Sequence, residues 1–274
     1  MTTIDKVGSE KPVGTREWYD FVALVADLGL SIHVGGEEAT QKLLNMLQLH
    51  ALDHVFDVGC GSGETAMRIA REIGARVTGI DASEKMIAKA RDRAHQEGLD
   101  DALHFQVGDV FNLDFADGMF DAVVFESVLT IVPGPPQDAL SEIVRVLRPG
   151  GRVGGNEATL ESSVPPDYAA LMVQHPAIQR TFTPETLREQ FEAAGLHQIA
   201  MHIVPSSGAP SLDMSDIFHK LGLRGLLAFF FKTYPKLVRK LLFDARFRKA
   251  HQIDEQLTKL SQKYMGYALI VGEK

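Results

Sequence analysis

HVFDVGCGSGETAMRIA, residues His54 to Ala70, is the stretch whose reading decides the fold. The apolar run VFDV passes without a spacer into Gly59, Gly61 and Gly63, and ETAMRIA then takes up helical spacing. A strand that turns into a helix through glycines offers a ligand bare backbone and a helix N-terminus, which suits a nucleoside-type molecule. The spacing refines this. A dinucleotide fingerprint is GxGxxG, whereas this loop reads GxGxG, with Asp57 two residues ahead of Gly59 and Glu64 directly after Gly63. Acidic residues at the mouth favour a cationic ligand over a pyrophosphate.

Outward from this turn, short apolar runs alternate with helical patterns, the signature of a parallel sheet flanked by helices. The expected strands are His54 to Val58, Arg76 to Asp81, Leu103 to Val107, Phe120 to Phe125, Gly151 to Glu157, His197 to Val204 and Tyr267 to Glu273, with helices filling the gaps in βαβα order. Ser83 is placed to cap the helix EKMIAKARDRAHQ and Gly98 to end it; Thr183, Pro184 and Gly195 bracket TLREQFEAA in the same way. The fold class is therefore α/β, a Rossmann-like, doubly wound, mostly parallel sheet of seven strands. Residues 1–50 read as a helical cap, with Gly35 and Gly36 as a break before a helix from Glu37 to Leu47. Residues 51–204 read as the ligand-binding core, 205–263 as a helical lid insert, and 264–274 as the last strand of the core.

The chain of 274 residues is 45% hydrophobic and 23% charged, values of a globular chain with a sizeable core. Its net charge of -8 argues against a dedicated binder of nucleic-acid backbone. The charge is uneven: residues 1–200 hold 16 Lys and Arg against 30 Asp and Glu, residues 201–274 hold 12 against 6. Most of the positive excess lies between Lys220 and Lys249, where Leu237, Val238, Leu241 and Leu242 recur at helical spacing. This basic amphipathic segment reads either as a lid with a solvated lysine face or as a contact for a membrane surface or lipid substrate. The single cysteine, Cys60, excludes an internal disulfide and points to a reducing, cytoplasmic setting; no apolar run reaches the length of a membrane span. His175, His197, His202 and His219 lack metal-ligand spacing, so no metal is expected.

With these landmarks in place, the sequence resembles the class I S-adenosylmethionine-dependent methyltransferases of the small-molecule type. DVGCGSG matches their first motif, Asp81 in VTGIDAS their second, Asp109 in FQVGDVFNLDF their third, and FDAVVFESVLTIV followed by VLRPGGRV their fourth. The resemblance is good over about residues 31–160 and covers the later strands by fold only. It implies S-adenosyl-L-methionine (SAM) as cofactor and S-adenosyl-L-homocysteine (SAH) as its product. It assigns cofactor contacts to Asp57, Gly59, Gly61 and Gly63, to Asp81 and Ala82 for the ribose, to Met86, Asp109 and Val110 for the adenine, and to Glu126 beside the methyl group. SIHVGGEEAT at Ser31 to Thr40 looks like the segment that precedes the first motif in phosphoethanolamine and related methyltransferases. Those enzymes carry a histidine after the fourth strand where this chain has Thr130, which argues against phosphoethanolamine as acceptor.

Methyl transfer from a sulfonium is an in-line displacement, so catalysis rests mainly on alignment, with a base where the nucleophile must lose a proton. Glu126 and Glu157, ending the fourth and fifth strands, are the leading candidates, expected to face one crevice; His33 and Tyr19 are candidates from the cap. FESV in place of an Asn/Asp-Pro-Pro-aromatic motif disfavours amide and exocyclic nitrogens, and one cysteine excludes an arsenite-type substrate. Phe229, Phe230 and Phe231 in the insert suggest an apolar pocket for a lipophilic or aromatic acceptor. Two other readings stand beside this one: a non-catalytic protein of the same fold that contacts membrane or partner through residues 220–249, and a nicotinamide-dependent oxidoreductase. Nothing in the sequence sets the acceptor atom or the oligomeric state.

Overall fold

The computed structural model describes residues 33–161, 164–174, 178–208, 234–245, 248, 251–252, 256 and 263–274. In chain order the elements are α1 (Gly36–Leu47), β1 (His54–Val58), α2 (Glu64–Glu72), β2 (Arg76–Asp81), α3 (Glu84–Glu97), β3 (Leu103–Val107), β4 (Phe120–Glu126), α4 (Pro136–Val146), β5 (Leu147–Leu160), α5 (Pro166–Gln174), α6 (Pro184–Ala193), β6 (His197–Val204), α7 (Tyr234–Phe243) and β7 (Met265–Glu273). The strands form one seven-stranded sheet in the order β3-β2-β1-β4-β5-β7-β6. Strands β1 to β5 are parallel, and β7 lies antiparallel between β5 and β6. The order reverses between β1 and β4, and in such sheets ligands bind at the carboxyl ends of the strands flanking the reversal.

Alternation along the strands sends Phe56, Phe125 and Val153 into one core layer with α4 and α6, and Val55, Val124 and Leu269 into the other with α1, α2 and α3. On the first side Phe56 stacks on Phe120 at 4.6 Å, and Phe115 meets both rings edge-on. On the second, α1 buries Leu43, Leu44 and Leu47 against β5 and β7. Each such leucine contributes roughly 1.5–3 kcal/mol. The approach is close: a Cβ at Gly154 would stand 2.8 Å from Leu47 Cγ, so β5 needs glycine there.

The expected helix ends are observed. Ser83 Oγ accepts the Met86 N–H at 3.3 Å, Thr183 Oγ1 accepts that of Thr186 at 3.2 Å, and Gly98 and Gly195 follow their helices with φ of 68° and 85°. Three expectations need correction. No helix joins β3 to β4; residues 108–119 run as turns, tied by the N–H groups of Phe111 and Asn112 to Asp109 Oδ1 and O. Strand β5 runs from Leu147, four residues before the expected start at Gly151, to Leu160, three residues past the expected end at Glu157, where β7, beginning at Met265, pairs with the extra length. The fourth strand includes Glu126. Of the expected lid, α7 is described, while Phe229, Phe230 and Phe231 lie outside the described residues, as does Tyr19 of the expected cap. Among the described residues no helix is long and apolar enough to cross a membrane.

Candidate active site

Strand β1 delivers Asp57 and then the turn, in which Gly59, Gly61 and Gly63 have φ of 70°, 53° and 82°. All three lie in the left-handed region that glycine adopts without strain. Two of them do different work. A Cβ at Gly59 would strike Val128 Cγ2 at 2.6 Å, so that glycine lets the loop after β4 come close. A Cβ at Gly61 would meet nothing within 4 Å, so that glycine bares backbone toward open space.

Acidic groups surround this space. Asp57 is 4% exposed, and its Oδ2 has no hydrogen-bond partner. Burial, reinforced by the negative charges of Glu126 and Asp81, pushes its carboxyl up to about 8. Asp81 Oδ2 accepts the Gly61 N–H at 3.0 Å and Oδ1 the Ser83 N–H at 2.8 Å; burial raises this carboxyl too, against the pull of those two donors. A buried oxygen without a donor is costly, and a cationic or hydroxyl-bearing ligand relieves it. The cradle therefore fits the aminoacyl and ribose portions of SAM. Farther along the strand ends, Ala82 and Asp109 are exposed while Met86 and Val110 are buried.

Glu126 ends β4 at the centre of a polar cluster. Its Oε2 accepts from Thr40 Oγ1 at 2.9 Å and from Asn156 Nδ2 at 3.0 Å, and its Oε1 accepts from Thr65 Oγ1 at 2.8 Å. His33 Nδ1 stands 3.3 Å from Glu126 Oε2, and His33 Nε2 is 3.2 Å from Thr40 Oγ1. Asn156 Nδ2 also donates to the Val34 carbonyl at 2.8 Å. Donors from the cap, α2 and β5 thus converge on one carboxylate, which fixes the cap segment to the sheet edge. The next residue, Ser127, holds φ of 57° while its N–H donates to the Asn156 carbonyl at 2.7 Å. A non-glycine residue in that region stores strain, a feature of functional strand ends.

Glu157 does not share this crevice, contrary to the sequence expectation. It follows Asn156 on β5, so alternation turns it to the opposite face. There it is fully buried and accepts the N–H groups of Val128, Leu129 and Thr130 at 2.7, 2.7 and 3.2 Å, with the Thr130 hydroxyl at 2.7 Å. Burial pushes its carboxyl up to about 7 even though all four donors pull the other way. The same loop is gripped from its carbonyl side by Arg180, 6% exposed, whose guanidinium donates to Leu129 O at 2.6 Å, Val132 O at 2.9 Å and Gly134 O at 2.5 Å. Glu157 and Arg180 together hold the 128–134 loop, which begins beside Gly59.

Sequence reasoning placed Glu126, His33 and the acidic cradle but missed Thr40, Thr65, Asn156, Ser127 and Arg180. Two faint signals existed: Thr40 lies one helical turn after Gly36, and Thr65 follows Glu64 at the start of α2, facing the same strand ends. Among the described residues no group of three or more His, Cys, Asp and Glu side chains is arranged to hold a metal.

A methyltransferase-domain family model matches residues 55–151, the stretch from β1 into β5. Methyltransferase GfsG of Streptomyces halstedii is 41% identical over 120 residues, covering 43% of this chain and 42% of that protein. The match thus spans less than half of that relative's length. An O-methyltransferase of Pyrenophora dematioidea is 31% identical over 207 residues, covering 72% of this chain and 77% of that protein. Among solved structures, the [4+2]-cyclase SpnF has the same fold, with a TM-score of 0.71 at 23% identity over 98% of this chain and 99% of that one. Glycine loop, acidic strand ends, sheet order and the extended match to the Pyrenophora enzyme agree: the chain belongs to the class I S-adenosylmethionine-dependent methyltransferases.

Proposed function

We propose that this protein binds SAM at the β1 turn and transfers its methyl group to a small, lipophilic or aromatic acceptor through an oxygen atom. The observation that carries the reading is the convergence of His33, Thr40, Thr65 and Asn156 on Glu126 at the switch point, beside the bare backbone of Gly61. The name of the Pyrenophora relative supports an oxygen acceptor.

When bound, SAM supplies an electrophilic methyl on a positively charged sulfur. Asp57 offers its partnerless Oδ2 to the cationic portion, Asp81 the free lone pairs of its carboxylate to the ribose hydroxyls, and Gly61 its backbone. Asp109 and Val110 stand at the end of β3 for the adenine. The remaining work is alignment and proton removal. Glu126, held by side chains of three elements, orients the His33 imidazole, and the pair takes the proton that the acceptor oxygen loses as its bond to carbon forms. Glu157 and Arg180 act at one remove by fixing the loop that closes the methyl end. Residues 205–263 serve in this reading as the cover over the acceptor, with no metal required.

Thermal unfolding in the presence of SAM, SAH, NAD and NADP tests the cofactor, because a ligand at 100 times its dissociation constant stabilises by about 2.7 kcal/mol. The expected result is a shift with SAM and SAH alone. A shift with NAD or NADP alone overturns the reading. A shift with SAH but no transfer of labelled methyl to phenol, quinone, terpenoid or fatty acyl acceptors favours the non-catalytic reading of the same fold.

A further inference from the structure

The positive charge of this chain is concentrated in a segment that also shows apolar side chains to solvent. Residues 220–249 hold nine Lys and Arg against one Asp, while the rest of the chain holds 19 against 35, a net of -16. The described helix of that segment is α7, Tyr234–Phe243. Of the seven large apolar side chains that stand exposed among the described residues, three are on α7: Tyr234 at 47%, Leu242 at 64% and Phe243 at 83%. The other four are scattered singly over the fold, as is normal for a protein surface.

Helical geometry gathers these groups. At about 100° per residue, Tyr234, Val238 and Leu242 fall on a stripe about 80° wide, with Arg239 and Phe243 along its border. Val238 is half-buried and Arg239 is exposed. At the C-terminal end the exposed Arg248 donates from Nη1 to the Leu242 carbonyl at 2.9 Å, which sets a second cation beside Leu242 and Phe243. Apolar side chains held in water gain by burial in proportion to their area, and the cations beside them select an anionic boundary. A bilayer that contains anionic lipids offers both in one surface, phosphates outermost and hydrocarbon beneath. The backbone of a nucleic acid offers phosphates without the hydrocarbon. The negative charge of the rest of the chain is repelled by such a surface, so approach is favoured through residues 220–249.

We propose that α7 docks on an anionic lipid bilayer, with Tyr234, Leu242 and Phe243 entering the headgroup region and Arg239 and Arg248 meeting the lipid phosphates. The helix lies in the plane of the surface and does not span it: α7 has ten residues, about half of what a crossing needs. The docking stands independently of the methyl-transfer reading. Taken with it, the cover over the acceptor rests against the phase in which a lipophilic acceptor dissolves.

The test is co-sedimentation of the full chain with vesicles of phosphatidylcholine alone and of phosphatidylcholine mixed equally with phosphatidylglycerol. Wild type is expected to pellet with the mixed vesicles at about 0.1 M salt, to stay in solution with phosphatidylcholine alone, and to leave the mixed vesicles as salt rises to about 1 M. The double variant Leu242→Ser/Phe243→Ser is expected to bind the mixed vesicles at least about tenfold more weakly, and to unfold at the wild-type temperature because both side chains face solvent in the free protein. Arg239→Gln is expected to lose about fivefold. The proposal is overturned if wild type stays in solution with the mixed vesicles, if it pellets equally with phosphatidylcholine alone, or if the double variant binds as wild type does. Equally tight binding of duplex DNA, unchanged in the double variant, also overturns it and assigns the segment to polyanions in general.

Discussion

Glu126 ends β4 and Glu157 lies on the neighbouring parallel strand β5, one residue past the partner of Glu126; both are close to fully enclosed, yet they are held in opposite ways. Glu126 is met by side chains, Thr40, Thr65, Asn156 and His33, which come from three separate elements and the segment before α1. Glu157 is met by three consecutive backbone N–H groups and one hydroxyl, all from a single loop. Backbone donors cannot turn away, so a carboxylate that satisfies them is a fastening. Side-chain donors can rotate and release, so a carboxylate held by them can exchange partners with a substrate. Two acids that look equivalent at strand ends thereby take different tasks, and the one-residue offset on β5 decides which.

The largest expected effect breaks the fastening. Glu157→Ala leaves three backbone N–H groups without an acceptor, at about 1–3 kcal/mol each, so the variant should lose roughly 3 kcal/mol or more of stability in urea unfolding. A loss below about 1 kcal/mol would mean that water serves the loop equally well. Glu126→Gln should do the reverse: stability within about 1 kcal/mol of wild type, SAH affinity within roughly threefold, and methyl transfer slowed about 100-fold or more, the usual range for loss of acid–base assistance. Equal transfer rates would return Glu126 to a structural role and leave the comparison without its functional half.

A smaller effect follows from protonation. Asp57 and Glu157 are pushed by burial from ordinary carboxylate values up to about 8 and about 7. In the unfolded chain both have released their protons by pH 5 to 6, whereas the folded chain still holds them, so stability falls as pH rises from about 4 to about 8 and levels off above. The ligand-free Asp57→Asn variant should lose less of its unfolding temperature between pH 5 and pH 8 than wild type does. Identical slopes would remove Asp57 from the account. Ser127→Gly should have the smallest consequence. Relief of the φ of 57° offsets the greater freedom of glycine in the unfolded chain, so stability should stay unchanged or rise by up to about 1 kcal/mol. A loss beyond that would give the Ser127 side chain a role at the site.

Much of the fold was legible because its signals are local. The period-two and helical patterns, the glycine turn, and the caps at Ser83 and Thr183 each depend on residues within one turn of one another. The missing helix between β3 and β4 was not legible, since residues 108–119 span a distance that a sequence rule fills with a helix by habit, while Asp109 instead ties the chain into turns. The end of β5 was misplaced because its last residues are ordered by pairing with Met265 and Gly266, more than 100 positions away. The site divides along the same line. Asp57, Asp81 and the glycines stand in local motifs. Thr40 and Glu126 are 86 positions apart, and nothing short of the packing of α1 on β5 brings them together. Arg180 was unreadable for that reason, since a lone arginine in QRTF carries no pattern and its carbonyl partners lie 46 to 51 positions earlier.

The central claim, that the β1 turn and its acidic strand ends are a SAM site, is tested most directly by calorimetric titration of SAH into wild type and Asp81→Ala. One site per chain is predicted in wild type, weakened about 5- to 150-fold in Asp81→Ala, which corresponds to about 1–3 kcal/mol for donors left unpaired. No heat of binding in wild type, or the same affinity in both proteins, would contradict it.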